Sequence, residues 1–357
     1  MIERRLVDPA LGSELEDALR AARPRPDAAV ADLHGLLRWL HEPAGPLERA
    51  AGQAGGNEAI ARAIATLATV DMTVAFSVWA HTMVLVYLRE ADRPSSFAAW
   101  TKHLEGAHLA GATALAAAMT CHVSGAPLPI KAVSVDGHLE LSGRIAWASN
   151  LYRPHFVLVT AAEVDGLGPR VVAMRGKDAA IEIAPFPNLV DLQATASSSI
   201  QLNAARVHPD DIVAADFSAF IHRVRPRFLL FQASFCWGLA ARALREAAAY
   251  IGPGVSEVFT PDHQELSTEL DRLEGAIVDG LSSGPSERHA RPIRELVQLR
   301  LDAARLAGAA TRLEANLAGG RGYVVHSPTA RRLREAAFLP IQSPTEGQLR
   351  WELSRSS

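Results

Sequence analysis

At Thr120 the hydrophobic period of this chain changes, and at Phe217 it changes back. Apolar residues three and four apart belong to a helix that buries one stripe, whereas strict alternation belongs to a strand that buries one face. Before the first switch Leu15 and Leu19, then Leu33, Leu36, Leu37 and Leu40, keep helical spacing. Between the switches KAVSVDGHLELSGRIAWAS alternates. The order predicts an α+β chain with an N-terminal helical domain over 1–117, a small antiparallel β-domain over 118–214, and a C-terminal four-helix bundle with its tail over 215–357.

The elements can be placed more closely. Two apolar helices are expected between Ala63 and Leu88, broken at Val70-Asp71-Met72-Thr73 with Asp71 as N-cap of the second. The alanine-rich stretch from Ala107 to Met119 is expected to close the helical part. Asp136-Gly137 marks a two-residue hairpin, and further strands are expected at Phe156 to Ala161, Arg170 to Met174, Ile181 to Ile183 and Ser198 to Ala204. Arg225-Pro226 is expected to open a long helix through Ala249, followed by helices over Asp262 to Leu281 and His289 to Ala318.

Composition sets limits on what such a chain does. A length of 357 residues is enough for two or three structural units around a substantial core. Lys+Arg 36 against Asp+Glu 39 leaves a net charge of -3 with no basic block, so nucleic acid is not an expected partner. Cys121 and Cys236, the two cysteines, offer no disulfide framework and no paired metal spacing, which fits a reducing cytoplasm; no metal site is expected. The acidic N-terminus lacks the apolar core of an export signal. The run from Ala63 to Leu88 is long enough to span a bilayer, but Asp71 and its threonines favour two buried helices, and no membrane partner is expected.

The candidate site residues sit mostly in the tail, GGRGYVVHSPTARRLREAAFLPIQSPTEGQLRWE, from Gly319 to Glu352. Gly319-Gly320-Arg321-Gly322 lets the backbone approach a ligand or another chain closely. Glu346, in SPTEG, reads either as a general base or as a charge in the first turn of a helix. Neither a nucleophile triad nor paired histidine ligands can be assembled from the thirteen scattered histidines.

Several motifs, in order, resemble the acyl-CoA dehydrogenase superfamily, which also contains flavin monooxygenases. Leu141-Ser142-Gly143-Arg144-Ile145-Ala146-Trp147-Ala148-Ser149-Asn150 is similar to the family's "G-K-x-W-I-T-N" element, whose Trp packs by the flavin and whose hydroxyl lies near flavin N5. The resemblance therefore implies Trp147 and Ser149 as flavin contacts, although an aromatic strand end followed by a Ser-Asn turn is also ordinary sheet chemistry. Arg225-Pro226 with Ala233 to Gly238, then GGRGY with Arg331 to Ala336, match the family's helical motifs. By the same resemblance Gly319, Gly320 and Arg321 would meet the adenine-diphosphate half of FAD across a subunit interface, and Glu346 would be the base. Thr120 keeps one residue of the family's flavin loop, and Gln264 one of its pyrophosphate loop. Ser124, Arg225, Phe231 and Phe235 are candidates for the substrate wall, with Phe228 and Trp237 beside them.

The departures matter as much. Met119-Thr120-Cys121-His122-Val123-Ser124-Gly125 replaces the family's "T-E-P-x-A-G-S-D", and the Arg of "R-x-x-F-G" is absent after Tyr250. Losing a charge-assisted phosphate contact costs about 1.5–3 kcal/mol unless another donor such as Arg321 substitutes. His122 at the flavin-side loop reads as a donor suited to a monooxygenase or as a satisfied loop residue. The expectation is a flavoenzyme that desaturates an acyl thioester at Cα–Cβ, carrying FAD, with FMN or no cofactor also open, and assembling as a homodimer or homotetramer. The alternatives are a two-component flavin monooxygenase on a small aromatic or amine substrate, and a cofactor-free partner subunit of an active homologue.

Overall fold

The computed structural model describes residues 6–22, 32–51, 56–282 and 291–355. Parts of the sequence reading, including the proline-rich piece after Ala22, the linker after Ser282 and His289, lie outside the described residues.

Helices open the chain: α1 (Pro9–Ala22), α2 (Leu33–Leu40), α3 (Pro46–Ala51), α4 (Gly56–Val70), α5 (Met72–Arg89) and α6 (Ala98–Glu105). Leu33, Leu36, Leu37 and Leu40 of α2 are all buried, the stripe that the spacing predicts. The break between α4 and α5 falls at Asp71, whose side chain accepts from the Val74 amide at 3.0 Å and caps α5. α5 is long and apolar enough to cross a membrane, but it is buried on all sides by protein and forms the centre of the helical core.

The alanine-rich stretch expected to stay helical does not. Ala110–Ala114 forms β1, and only then does α7 (Ala116–Ser124) begin. Helix propensity of about 0.5–1 kcal/mol per residue is overridden by a tertiary fit that needs small residues. A Cβ on Gly111 would lie 2.8 Å from His81 O and from Val84 Cβ on α5. The Gly111 amide donates to His81 Nδ1 at 3.0 Å, and Asn150 Nδ2 donates to Ser77 O and Gly111 O, so α5 and the sheet are joined through buried polar contacts.

The remaining strands are β2 (Ile130–Val135), β3 (His138–Ala148), β4 (Phe156–Val164), β5 (Gly168–Arg175), β6 (Ile181–Ile183), β7 (Ser198–Val207) and β8 (Ile212–Ala214). Asp136 and Gly137 both take positive φ, 45° and 80°, the backbone of the tight turn that matches strand twist. The sheet runs β6-β7-β3-β2-β4-β5-β8, with β1 beside β4. It is mixed where an antiparallel sheet was expected, because β1 and β2 both run parallel to β4. β4 is buried on both faces: Val157, Val159 and Ala161 face the helical core while Phe156, Leu158 and Ala162 face a separate sheet core.

The C-terminal part is α8 (Phe217–Ala248), α9 (Thr260–Ser282), α10 (Ile293–Ala318), α11 (Pro328–Phe338) and α12 (Glu346–Arg355). Three helices are long, and α11 and α12 complete the bundle. α8 starts at Phe217, ahead of Arg225-Pro226, capped by Asp216, whose side chain accepts from Ala219 N at 2.9 Å. Pro226 is therefore interior and removes one helical donor, which the buried Phe217, Phe220, Ile221 and Val224 upstream offset. At Gly238 the helix comes so close to α4 that a Cβ would lie 2.2 Å from Ala65 O. The N- and C-terminal helices thus share one hydrophobic core.

Candidate functional site

A cavity of about 700 Å³ lies where α5, α7, β3, the loop before β7, α8 and the segment between α11 and α12 meet. One wall is aromatic, from Phe76, Trp79, Phe228 and Phe338, whose rings pack edge-on or offset. The mouth is apolar as well: Val190 is 75 % exposed, Ile341 70 % and Trp147 57 %. Opposite chemistry comes from a chain of hydroxyls, Ser149 Oγ to Ser197 Oγ at 2.6 Å and Ser197 Oγ to Thr195 Oγ1 at 2.7 Å.

Local sequence explains how several of these groups are held. Thr345 and Gln348 form a capping box at the start of α12: the Gln348 amide donates to Thr345 Oγ1 at 3.2 Å, and the Thr345 amide to Gln348 Oε1 at 2.7 Å. With its Oε1 so engaged, Gln348 turns Nε2 to Thr120 Oγ1 at 2.8 Å and fixes that hydroxyl at the cavity wall. A small pocket of about 40 Å³ adjoins across this contact, lined by Thr120, Ser124, Arg225, Gln348 and Glu352. Arg225, buried on α8, is ion-paired with Glu352 there.

Of the residues singled out in the sequence, the cavity brings together Thr120, Trp147 and Ser149. Ser124 and Arg225 line the small pocket beside it. Phe231 and Phe235 do not reach either space. Both are fully buried, and Phe235 packs behind Phe76 and Trp79, so Phe228 is the α8 aromatic that lines the cavity. Trp237 is a core residue whose Nε1 donates to Leu270 O at 2.9 Å. His122 lies on α7 against Phe217 and outside the cavity lining, with its pKa lowered by burial and by Arg225.

Glu346 is placed elsewhere than a base requires. As the first residue of α12 it points to Arg305 on α10, 2.8 Å away, and lies 3.7 Å from Arg350. Thr345 and Gln348 on either side line the cavity and Glu346 does not, because a helical turn sends successive side chains in different directions. Gln264, Gly319, Gly320 and Arg321 are also outside: all four are exposed, and the Arg321 guanidinium stacks 5.5 Å over the Tyr250 ring.

The sequence reading missed the one carboxylate that does line the cavity among the described residues, Asp191. Its Oδ2 accepts from Arg334 Nε at 3.1 Å and its Oδ1 from the Leu192 amide at 2.8 Å. Burial raises its pKa, and the Leu192 amide and Arg334 pull the other way. Asp191 sits in an irregular loop, and its partner is 143 positions away, so no local pattern marked it. Gln342 and Ser343, two further lining residues, stand just ahead of the TEG segment and carry no motif of their own.

No family model matches the chain, and no curated protein matches it by sequence. Solved structures match over nearly the whole length. A probable acyl-CoA dehydrogenase from Mycobacterium abscessus is 15% identical, covering 98% of this chain and 98% of its own, with a TM-score of 0.81. Butyryl-CoA dehydrogenase from Megasphaera elsdenii is 13% identical with a TM-score of 0.80, covering 97% and 95%. Nitroalkane oxidase crystallised with 1-nitrohexane is 13% identical with a TM-score of 0.80, covering 97% and 93%.

Proposed function

We propose that this chain, which has the acyl-CoA dehydrogenase fold, is a flavin-dependent oxidoreductase acting on a small molecule in the 700 Å³ cavity. The observation that carries the reading is the meeting of Thr120, Trp147 and Ser149, from two separate elements, around one space. A flavin bound there supplies a two-electron carrier. The residues present suit its tricyclic ring: Trp147 offers an exposed aromatic face, Ser149, Ser197 and Thr195 offer hydroxyls to a polar edge, and Phe76, Phe228 and Phe338 exclude water. The adenine half of FAD finds no such cradle in the cavity. Gln264, Gly319, Gly320 and Arg321 would hold it only from another subunit, in a homodimer or homotetramer.

Desaturation of an acyl thioester needs a base for the α-proton. Glu346 is turned to Arg305, so Asp191 is the carboxylate in a position to take a proton from a bound substrate. That same observation favours the second reading, oxygen chemistry with reduced flavin on a small substrate, which does not require a carboxylate at the Glu346 position.

The first test is occupancy. Purified protein is expected to be yellow, or to quench flavin fluorescence on titration with FMN or FAD, and Trp147→Ala should weaken binding by about 0.5–1.5 kcal/mol. A colourless protein that binds neither flavin overturns the reading and leaves the partner-subunit role. With flavin bound, bleaching by acyl-CoA without oxygen marks the dehydrogenase, and substrate-dependent oxygen consumption with reduced flavin marks the monooxygenase.

A further inference from the structure

Arg300, on α10, is a fully buried cation that meets only neutral oxygens. Its Nε donates to Gln232 Oε1 at 3.0 Å, and its Nη2 to Gln342 Oε1 at 2.7 Å and Leu339 O at 3.3 Å. Its Nη1 is buried without a partner. No carboxylate lies within ion-pair range of it among the described residues, whereas the other deeply buried guanidiniums are paired: Arg332 with Glu314, Arg331 with Asp71, Arg225 with Glu352. A buried charge is costly unless an opposite charge answers it.

The cavity lies directly in front of this cation. Gln342 lines it, and because its Oε1 is committed to Arg300, the polar group it has left for a ligand is the donor Nε2. Ser343 and Trp79 are in the lining too, but their hydroxyl and indole N–H are buried away from the cavity surface and have no partner among the described residues, so Gln342 supplies the donor that faces a ligand. The Arg300 guanidinium stands 6.0 Å from the Phe235 ring, which packs 5.9 Å from Trp79, so the charge sits just behind this aromatic wall. The Gln342 donor in front and an unanswered cation behind make a site for an acceptor with negative charge.

We propose that the part of the cavity lined by Gln342, Ser343 and Trp79, in front of Arg300, is a subsite for an anionic oxygen, the carboxylate of an otherwise apolar aliphatic or aromatic substrate. This deepens the functional reading by naming the substrate's charge, and it rests on that reading only in taking this cavity as the substrate's place. The aromatic wall accepts the apolar body, and the relay from Arg300 through Gln342 selects the charged end.

The test compares matched pairs at neutral pH, hexanoate against 1-hexanol and benzoate against benzyl alcohol, by calorimetry on protein with and without flavin. Each carboxylate is expected to bind at least about tenfold more tightly than its alcohol, with Kd near 1 mM or below. Gln342→Glu places a carboxylate of the same shape on Arg300. It should raise the melting temperature and remove the preference for the anion, while Arg300→Lys, which keeps the charge, should retain part of it. Equal binding of acid and alcohol, or no binding of either, overturns the proposal. So does a Gln342→Glu variant that still prefers the carboxylate, since a purely structural tie by Arg300 would give those results. Carboxylate binding by a protein that never takes up flavin would retain this subsite and sink the flavoenzyme reading alone.

Discussion

Glu346 and Asp191 are both carboxylates beside an arginine, and their surroundings separate them. Glu346 shares the surface with Arg305 and Arg350, where such pairs contribute about 0–1 kcal/mol. Glu346→Gln is therefore expected to shift stability by less than about 1 kcal/mol in denaturant titration and to leave turnover intact. Asp191 faces the cavity with a raised pKa. If it takes the proton, activity should rise with pH through a value above the ordinary carboxylate range, and Asp191→Asn should lose that limb and about 10²–10⁴-fold in rate with flavin binding retained. His81 adds a stability term. It is fully buried, its Nε2 lies 2.9 Å from Leu104 O, its Nδ1 accepts from Gly111, and burial holds its pKa well below normal. As pH falls below about 6.5 the unfolded chain binds a proton that the folded one refuses, so stability should drop with acid. His81→Asn should flatten the fall in melting temperature between about pH 7 and pH 5. Glu335 has the opposite sign, because burial raises its pKa against the pull of Arg331, and its contribution is lost as pH rises.

At the scale of elements, two close approaches set the frame for the cavity. Gly238 lets α8 lie on Ala65 and Ala68 of α4, and Gly111 lets β1 lie on α5. Gly238→Ala puts a methyl against Ala65 O with no flexible side chain to yield. Loss of about 1–3 kcal/mol of stability is expected by urea denaturation, and a neutral result would mean the helices part freely. The start of α12 couples element to site. Thr345→Ala removes a cap contributing about 1 kcal/mol and frees Gln348 from the orientation that holds Thr120. Much of this element layout was legible in the chain. The Asp71 break, the Asp136-Gly137 turn and most of the strands follow from local spacing and caps. β1 was not legible, because its alanines and glycine say helix or nothing until α5 is packed against them. The return of the helical period at Phe217 marks the start of α8, but Pro226, as common a helix opener as it is rare inside one, points to a later start for the long helix.

On the scale of the whole molecule, helices from the two ends of the chain share one core around α5 and α8, with the sheet core set on its own. Ligand binding at a cavity walled by all of these units should stabilise them together: flavin at 100 times its Kd is expected to add about 2.7 kcal/mol and raise the melting temperature of a single transition. What the amino-acid sequence determined by itself was the alternation of helical and strand periods and the caps and turns between them, while a family resemblance singled out Thr120, Trp147 and Ser149, which line one cavity. Only the tertiary structure decided that Glu346 turns to Arg305, that Asp191 from an irregular loop reaches the cavity, and that Arg300 lies buried behind Gln342 with no carboxylate to answer it. The reason is physical. Period and capping are set by residues within one turn or one strand of each other, while the facing and charge balance of a buried side chain depend on partners tens to hundreds of positions away.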